Sequence, residues 1–337
     1  MLFFALNTSR SLGQAISTHL HVPLSRHEER DFEDGEHKIR PLENVRGKDV
    51  FVLHSLYGEA GQSVNDKLCK LLFFTAALRD AGAMRVSTVV PYFAYARKDR
   101  RTKPYDPVTM KYMAQLLEAV GVNQVVTLDI HNPAAFQNAL RIPCENLEAR
   151  VLFAPYVAAL VGGGKVAVVS PDPGGVKRAE QFRDTLAVLL GREVAMAFLD
   201  KGRSEGILKG EALIGDVESA TAIVFDDIIS SGATLARAIV TLKSHGAGRI
   251  LAAATHGLFN ARASDLLARP ELETVLVTNS VGTVRIPTAD NGRAAQKLLS
   301  VDCAPLFAAA IRTLHANGSI PDLLEHYSGT LMQQLML

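Results

Sequence analysis

Short apolar runs rich in valine and isoleucine recur along the chain, most of them followed by a stretch with helical periodicity. "DVFVLHS" (49–55) precedes "VNDKLCKLLFFTAALRDAG" (64–82), "RVSTVVPYF" (85–93) precedes "DPVTMKYMAQLLEAVG" (106–121), and "QVVTLDI" (124–130) follows. The second half keeps the rhythm. "KVAVVS" (165–170) comes before "VKRAEQFRDTLAVLLG", and "TAIVF" (221–225) before "TLARAIVTLKSHG". "RILAAAT" (249–255) and "ETVLVTN" (273–279) are further strands. A strand without polar alternation needs cover on both faces, and interleaved helices supply it. The pattern predicts an α/β fold built on mainly parallel sheets. Within it, Asp106 is expected to cap a helix with Pro107 at the first helical position. Met110, Met113, Leu117 and Val120 form the buried stripe of that helix, and Gly121 ends it.

The 337 residues suffice for two domains with a core each, and the rhythm breaks near residue 150. Domains over 1–149 and 150–304 are expected, with 305–337 returning to complete the first. Cations and acids nearly balance, 36 against 35, which argues against a general nucleic-acid binder. The longest apolar runs, "LLFFTAAL" (71–78) and "VLFAPYVAALV" (151–161), fall short of the roughly 18 residues a membrane span needs. "MLFFALNTSR" has neither a basic leader nor a long apolar region, so no signal peptide is expected. The three cysteines are far apart, in odd number and without metal spacing. They read as ordinary buried thiols of a cytoplasmic protein.

Three strands end in a polar cluster that holds aspartate: "VVTLDIH", "VVSPDPGG" and "IVFDD". Open parallel sheets bind ligands beyond the carboxyl ends of their strands, so these clusters are expected to line clefts. Other motifs mislead. "GGGKVAVV" (162–169) lacks the Ser or Thr of a nucleotide loop, and its glycines precede a strand, so it reads as a turn. "HLH" (19–21) has the wrong spacing for a helical metal pair, and His256 in "HGLF" is left unassigned.

The most informative cluster is "TAIVFDDIISSGATLA" (221–236). Backbone amides between a strand and a helix form an anion nest, and the helix N-terminus adds positive charge. Gly232 allows close approach, while Ser230, Ser231 and Thr234 offer hydroxyl donors. Asp226 and Asp227 only accept hydrogen bonds when ionised, which suits the vicinal hydroxyls of a sugar. One loop can thus read both ends of a ribose phosphate. A capped helix with no ligand is the alternative for this loop taken alone.

"IVFDDIISSGAT" resembles the ribose-phosphate loop shared by type I phosphoribosyltransferases and ribose-phosphate diphosphokinases, the PRPP synthetases. "VVPYFAYARKDRRTK" (89–103), "TLDIHN" (127–132), "VVSPDPGGVKRA" (168–179) and "DFEDGE" (31–36) resemble synthetase motifs in family order, as do "NVRGKDVFVLHS" and "ATHGLF". The likeness spans nearly the whole chain. It implies two duplicated phosphoribosyltransferase-like domains and transfer of the β,γ-diphosphoryl group of ATP to ribose 5-phosphate. By resemblance, Phe32 stacks on adenine, Asp34 and Glu36 read its edge, and Arg97 and Asp99 belong to the ATP site. The cations of "ARKDRRTK" (Arg97, Lys98, Arg100, Arg101 and Lys103) are expected to gather around Asp99 and meet the polyphosphate. His131 and Asp172 would help hold Mg2+. "FLDKGRSEG" (198–206) resembles the flexible catalytic loop, with Lys201 and Arg203 at the reacting phosphate. By the same resemblance, Asp226, Asp227, Ser230, Ser231, Gly232, Ala233 and Thr234 would bind ribose 5-phosphate. Lys177 and Arg178 would contact anionic substrate, with surface charge the alternative for Arg178.

Ser230 stands where the commonest bacterial and animal members often have an acid; archaeal members and ordinary phosphoribosyltransferases resemble this version more. Lys98 replaces a frequent glutamine and Pro173 a frequent alanine, and "SGTLMQQLML" runs past the usual end. The family's adenine turn serves a neighbouring subunit, so a dimer-based homo-oligomer, hexamer or tetramer, is expected. Two other functions stay open: a non-catalytic nucleotide-binding regulatory homologue, and a phosphoribosyltransferase that consumes PRPP.

Overall fold

The computed structural model describes residues 1–204, 207–260, 263–282 and 293–335, with backbone alone for 201–204, 207–211, 293–294 and 334–335. The chain divides into two compact units. The first comprises Met1–Leu147, Ser280–Gly282 and Cys303–Leu323; the second comprises Glu148–Asn279, Thr283–Asp302 and Leu324–Leu337.

The first unit opens with β1 (Leu2–Ala5), α1 (Arg10–Leu20), β2 (His27–Asp31) and β3 (His37–Pro41). β4 (Asp49–Leu53), α2 (Val64–Asp80), β5 (Arg85–Val90), α3 (Thr109–Ala119), β6 (Gln124–Leu128), α4 (Pro133–Ala139) and β7 (Cys144–Leu147) follow. β1-β4-β5-β6-β7 form a five-stranded sheet, and every pairing is parallel. β4 and β6 are buried at every residue, as strands covered on both faces must be. β2 and β3 form a separate antiparallel ribbon, which the sequence reading had registered only as the turn at "DFEDGE". α2 starts as a capping box: Ser63 Oγ accepts from the Asp66 N–H, and Asp66 accepts from the Ser63 N–H.

The second unit contains α5 (Arg150–Val161), β8 (Val166–Ser170), α6 (Val176–Leu190), β9 (Ala195–Ser204) and β10 (Ile207–Ile214). It continues with β11 (Thr221–Ile229), α7 (Ala233–Ser244), β12 (Arg249–Gly257), α8 (Ala263–Leu267), β13 (Leu272–Thr278), α9 (Arg293–Gln296) and β14 (Leu298–Val301). Its sheet has seven strands in the order β10-β9-β8-β11-β12-β13-β14, and only β10 runs antiparallel. From β8 the chain passes to β9 on one side and later to β11 on the other. The crevice between the carboxyl ends of β8 and β11 is therefore a topological switch point. Phe182 of α6 stacks on Phe225 of β11 with ring centroids 4.3 Å apart, while Leu235, Ala238 and Ile239 of α7 pack with Ala222 and Val224.

After β14 the chain returns. α10 (Ala304–His315) belongs to the first unit, where it packs along α1. α11 (Ile320–Leu335) begins there, but from Leu324 onward it groups with the second unit. The returning chain is thus shared: Cys303–Leu323 groups with the first unit and Leu324–Leu337 with the second. Ser328 Oγ donates to the Val151 carbonyl of α5, 3.3 Å away.

Other details depart from the sequence reading. α3 begins at Thr109, and Asp106 does not cap it. The Asp106 carboxylate is held inside its own loop by Lys98 Nζ, Thr102 Oγ1 and the N–H groups of Thr102 and Lys103. These bonds, that to Lys98 first, hold its pKa well below the usual carboxylate range. Of the cysteines only Cys303 is buried; Cys144 is half-buried and Cys69 exposed, and all three are free thiols. "GGG" is a turn whose carbonyls, those of Gly162, Gly163 and Gly164, accept from the Arg192 guanidinium. Among the described residues no helix is long and apolar enough to cross a membrane.

Candidate active site

β11 runs four residues further than its apolar stretch and carries both aspartates, with Asp226 in register against Ala254 of β12. Neighbouring side chains on a strand point to opposite faces, so the two acids are not equivalent. Asp227 is buried, and Asp226 keeps about a quarter of its side chain exposed. The Asp227 N–H donates to Asp226 Oδ1 at 2.8 Å. Arg178, in the first turn of α6, places Nη1 3.2 Å from Asp227 Oδ1 and 3.9 Å from Asp226 Oδ1. Arg178 is thus a partner of the acids and not a surface charge. Burial, and then the charge of Asp227, push Asp226 well above the usual carboxylate range, while Arg178 pulls the other way.

Past the acids, Ser230 and Ser231 lead to Gly232, whose φ of 75° turns the chain into α7. Ala233 and Thr234 open that helix; its cap residue, Gly232, offers no side chain, and the Ala233 N–H donates to Ser231 Oγ at 3.4 Å. The Asn260 N–H donates to the Ser230 carbonyl at 3.0 Å, which ties the loop to the end of β12. The half-exposed hydroxyls and the amides of the helix start form a donor-rich turn of the kind that suits a phosphate.

At β8 of the same crevice, Asp172 Oδ1 accepts the Gly175 N–H at 3.0 Å and folds "DPGG" into a tight turn. A Cβ on Gly175 would lie 2.8 Å from Ser170 Oγ and would have to displace that hydroxyl from its bond to the Asp172 carbonyl.

In the first unit, Arg97 and Asp99 lie in the segment beyond β5, and His131 follows β6. Asp99 accepts from the Asn132 amide at 2.5 Å, which joins the two segments. Asn132 also caps α4, accepting from the Ala135 N–H. The expected ring of cations around Asp99 does not form: Lys98 turns to Asp106, and among the described residues Asp99 has no ion pair. Arg97, Arg100 and Arg101 are exposed, with no ion pair among the described residues. His131 is exposed and follows Asp129, a buried residue at φ 40°. Strained backbone of this kind concentrates at functional sites.

Phe32, Asp34 and Glu36 occupy the turn of the β2–β3 ribbon. The Phe32 N–H donates to the Glu36 carbonyl, and Asp34 Oδ1 accepts the Glu36 N–H. Phe32 is 41% exposed, with the Arg30 guanidinium 5.2 Å from its ring centroid. A large aromatic presented on a polar turn is available for stacking.

Comparison with known proteins decides the family. Residues 1–121 match the model of the N-terminal domain of ribose phosphate pyrophosphokinase, and 209–325 match the phosphoribosyl synthetase-associated domain. A ribose-phosphate pyrophosphokinase of Granulibacter bethesdensis is 36% identical over 326 residues, 96% of this chain and all of that protein. One of Caulobacter vibrioides is 37% identical over 321 residues, 95% of this chain and 98% of its own. The chain belongs to the ribose-phosphate pyrophosphokinase family. The crystal structure of a phosphoribosylpyrophosphate synthetase from Mycobacterium smegmatis superposes with a TM-score of 0.81 at 31% identity, covering 94% of this chain and 99% of that one.

One feature expected of a pyrophosphokinase is corrected by the structure. "FLDKGRSEG" is not a loop up to Ser204: β9 extends through it and pairs with β10, Lys201 opposite Glu211 and Arg203 opposite Leu208. The side chains of Lys201 and Arg203, and residues 205–206, lie outside the described residues. Among the described residues no group of three or more His, Cys, Asp or Glu gathers as a metal cage. Asp129 is the aspartate of the strand-end cluster "VVTLDIH". The sequence reading gave Asn132 no role of its own, although it had a local signal, an asparagine before a proline at a helix start.

Proposed function

We propose that this chain transfers the β,γ-diphosphoryl group of ATP to the anomeric hydroxyl of ribose 5-phosphate, yielding PRPP and AMP. The observation that carries the reading is the acid pair Asp226–Asp227, partly neutralised by Arg178 and continuous with the amide-rich turn into α7. Asp226 and Asp227 accept the ribose 2- and 3-hydroxyls. Ser230, Ser231, Gly232, Ala233 and Thr234 take the 5-phosphate. Phe32, Asp34 and Glu36 bind adenine, with Arg97 and Asp99 at the ATP polyphosphate. Lys201 and Arg203 stabilise charge on the transferring group. Positioning and electrostatics do most of the work in such a transfer.

Mg2+ fits the donor set. The Asp172 carboxylate spends one oxygen on the Gly175 N–H and offers the other, and a cation held by one or two carboxylates plus phosphates needs no protein cage. His131 is the second ligand in this reading, though nitrogen is the less preferred donor. When bound, magnesium neutralises the triphosphate. The exposed Phe32 turn supports a homo-oligomer in which it serves a neighbouring subunit, and the free thiols suit a reducing cytoplasm.

The test is AMP and PRPP formation from ATP and ribose 5-phosphate with magnesium, against a control without sugar. Equal amounts of both products are expected. Folded protein that binds both substrates without turnover would overturn the catalytic reading in favour of a regulatory homologue.

A further inference from the structure

α6 and β11 meet in a register that the helix and strand periods explain. Phe182 lies four residues after Arg178 on one face of α6, a rise of about 6 Å. Phe225 lies two residues before Asp227 on one face of β11, a rise of about 6.6 Å. The steps nearly match. Stacking Phe182 on Phe225 at 4.3 Å therefore brings Arg178 to Asp227, and the guanidinium arrives at 3.2 Å. The start of α6 is fixed independently by Asp172, which caps Gly175 immediately before the helix.

We infer that Arg178 is a positioning residue for substrate binding: it holds Asp227 directly and Asp226 at its edge, in the arrangement that accepts the vicinal hydroxyls of ribose 5-phosphate. The inference rests on reading these acids as the sugar site. Arg178 acts through the carboxylates and not on the sugar. Its side chain is 17% exposed and Asp227's 6%, so their attraction is little screened by solvent. Arg178 is the charge that opposes the repulsion between these two acids, so without it the pair opens or holds a proton more tightly. A protonated carboxyl donates where the sugar needs an acceptor. An ammonium on a flexible stem keeps the charge but not the fixed planar geometry with which the guanidinium brings Nη1 to both acids.

The experiment uses the full chain and the variants Arg178→Gln and Arg178→Lys. It reads KM for ribose 5-phosphate, KM for ATP, kcat and thermal midpoint. Arg178→Gln is expected to raise KM for ribose 5-phosphate about tenfold or more, with KM for ATP unchanged and kcat less affected. Arg178→Lys is expected to fall between it and the wild type. An unchanged KM for ribose 5-phosphate in Arg178→Gln overturns the inference and leaves the sugar reading standing. Equal losses for both substrates, accompanied by a lower thermal midpoint and no recovery in Arg178→Lys, also overturn it, because they mark a purely structural role. If Arg178→Gln does not fold, Arg178→Lys decides by titration calorimetry with ribose 5-phosphate, and wild-type affinity overturns the inference. Failure of the wild type to bind ribose 5-phosphate defeats the sugar reading itself.

Discussion

Gly232 shows how much of the site one residue can fix. In the turn proposed to take the phosphate, the chain passes from β11 into α7 at φ 75°, where L side chains are strained. A Cβ at this position would also lie 2.5 Å from Leu266 Cδ2 and 3.0 Å from Leu266 Cβ. Gly232→Ala is expected to cost about 1–3 kcal/mol in urea unfolding and to weaken ribose 5-phosphate binding. Wild-type stability and affinity would show that the turn tolerates a Cβ. The need for this glycine was legible, because acids, hydroxyls and glycine are contiguous in "DDIISSGAT". The partner of the acids was not. Arg178 is 49 residues from Asp227, and tertiary packing, Phe182 on Phe225 together with the Asp172 turn before α6, brings it there. Asp106 went wrong for a related reason: beside a proline it looks like a helix cap, but a lysine eight residues earlier competes for its carboxylate.

At the scale of elements, the sequence revealed the parallel strands, because continuous Val and Ile runs have one simple reading. The β2–β3 ribbon was hidden by its charge. "HEERD" looks solvated, yet Glu29 is 4% exposed, and Lys67 and Lys70 of α2 are buried. Lys70 Nζ lies 2.7 Å from Asp31 Oδ1 and 3.6 Å from Glu29 Oε2. Glu29 Oε1 also accepts from the Asn7 N–H at 2.6 Å and lies 2.9 Å from His27 Nε2. Burial works against its charge, but the His27 and Asn7 hydrogen bonds hold the carboxyl below its ordinary pKa. The same buried cluster includes His54, which burial and then the Lys67 charge push down to about 3, so it stays neutral. Alternating acids in β2 thus pin the ribbon, and with it the Phe32 turn, to α2. Lys70→Met leaves Glu29 buried without its ammonium and is expected to lower stability by about 2–4 kcal/mol. Most of this is the Glu29 arm, since Asp31 is 65% exposed and its pairing is screened. If the ribbon carries the adenine turn, KM for ATP rises as well; a stability loss with unchanged KM for ATP would detach the two.

At the scale of the whole chain, the two units divide between Leu147 and Glu148, but the end of the chain does not respect that division. α10 comes back to the first unit from beyond residue 300, and no local pattern announces where a distant helix will dock. Asp49 marks the junction. Its carboxylate takes Arg85 Nε at 2.8 Å and Nη2 at 2.6 Å from β5, and lies 2.7 Å from His315 Nδ1 of α10, 266 residues away. Arg85 Nη2 also donates to the Leu314 carbonyl, and Arg312 Nη2 to that of His19, so α10 is tied at its last turn. Asp49 is 5% exposed; burial opposes its charge, but the Arg85 and His315 contacts leave its pKa lowered. A carboxyl whose folded pKa lies below the unfolded value of about 3.9 stabilises the fold above that pH, and the contribution fades as pH falls through the folded pKa. Asp49→Asn should therefore cost about 2–4 kcal/mol near neutrality, as a broken buried pair does. The gap between variant and wild type should close only below about pH 4. Urea unfolding of both proteins from pH 7 down to pH 3 measures it. A gap that does not narrow with acid would mean that Asp49 holds β4, β5 and α10 together by shape alone, and its charge would drop out of the account.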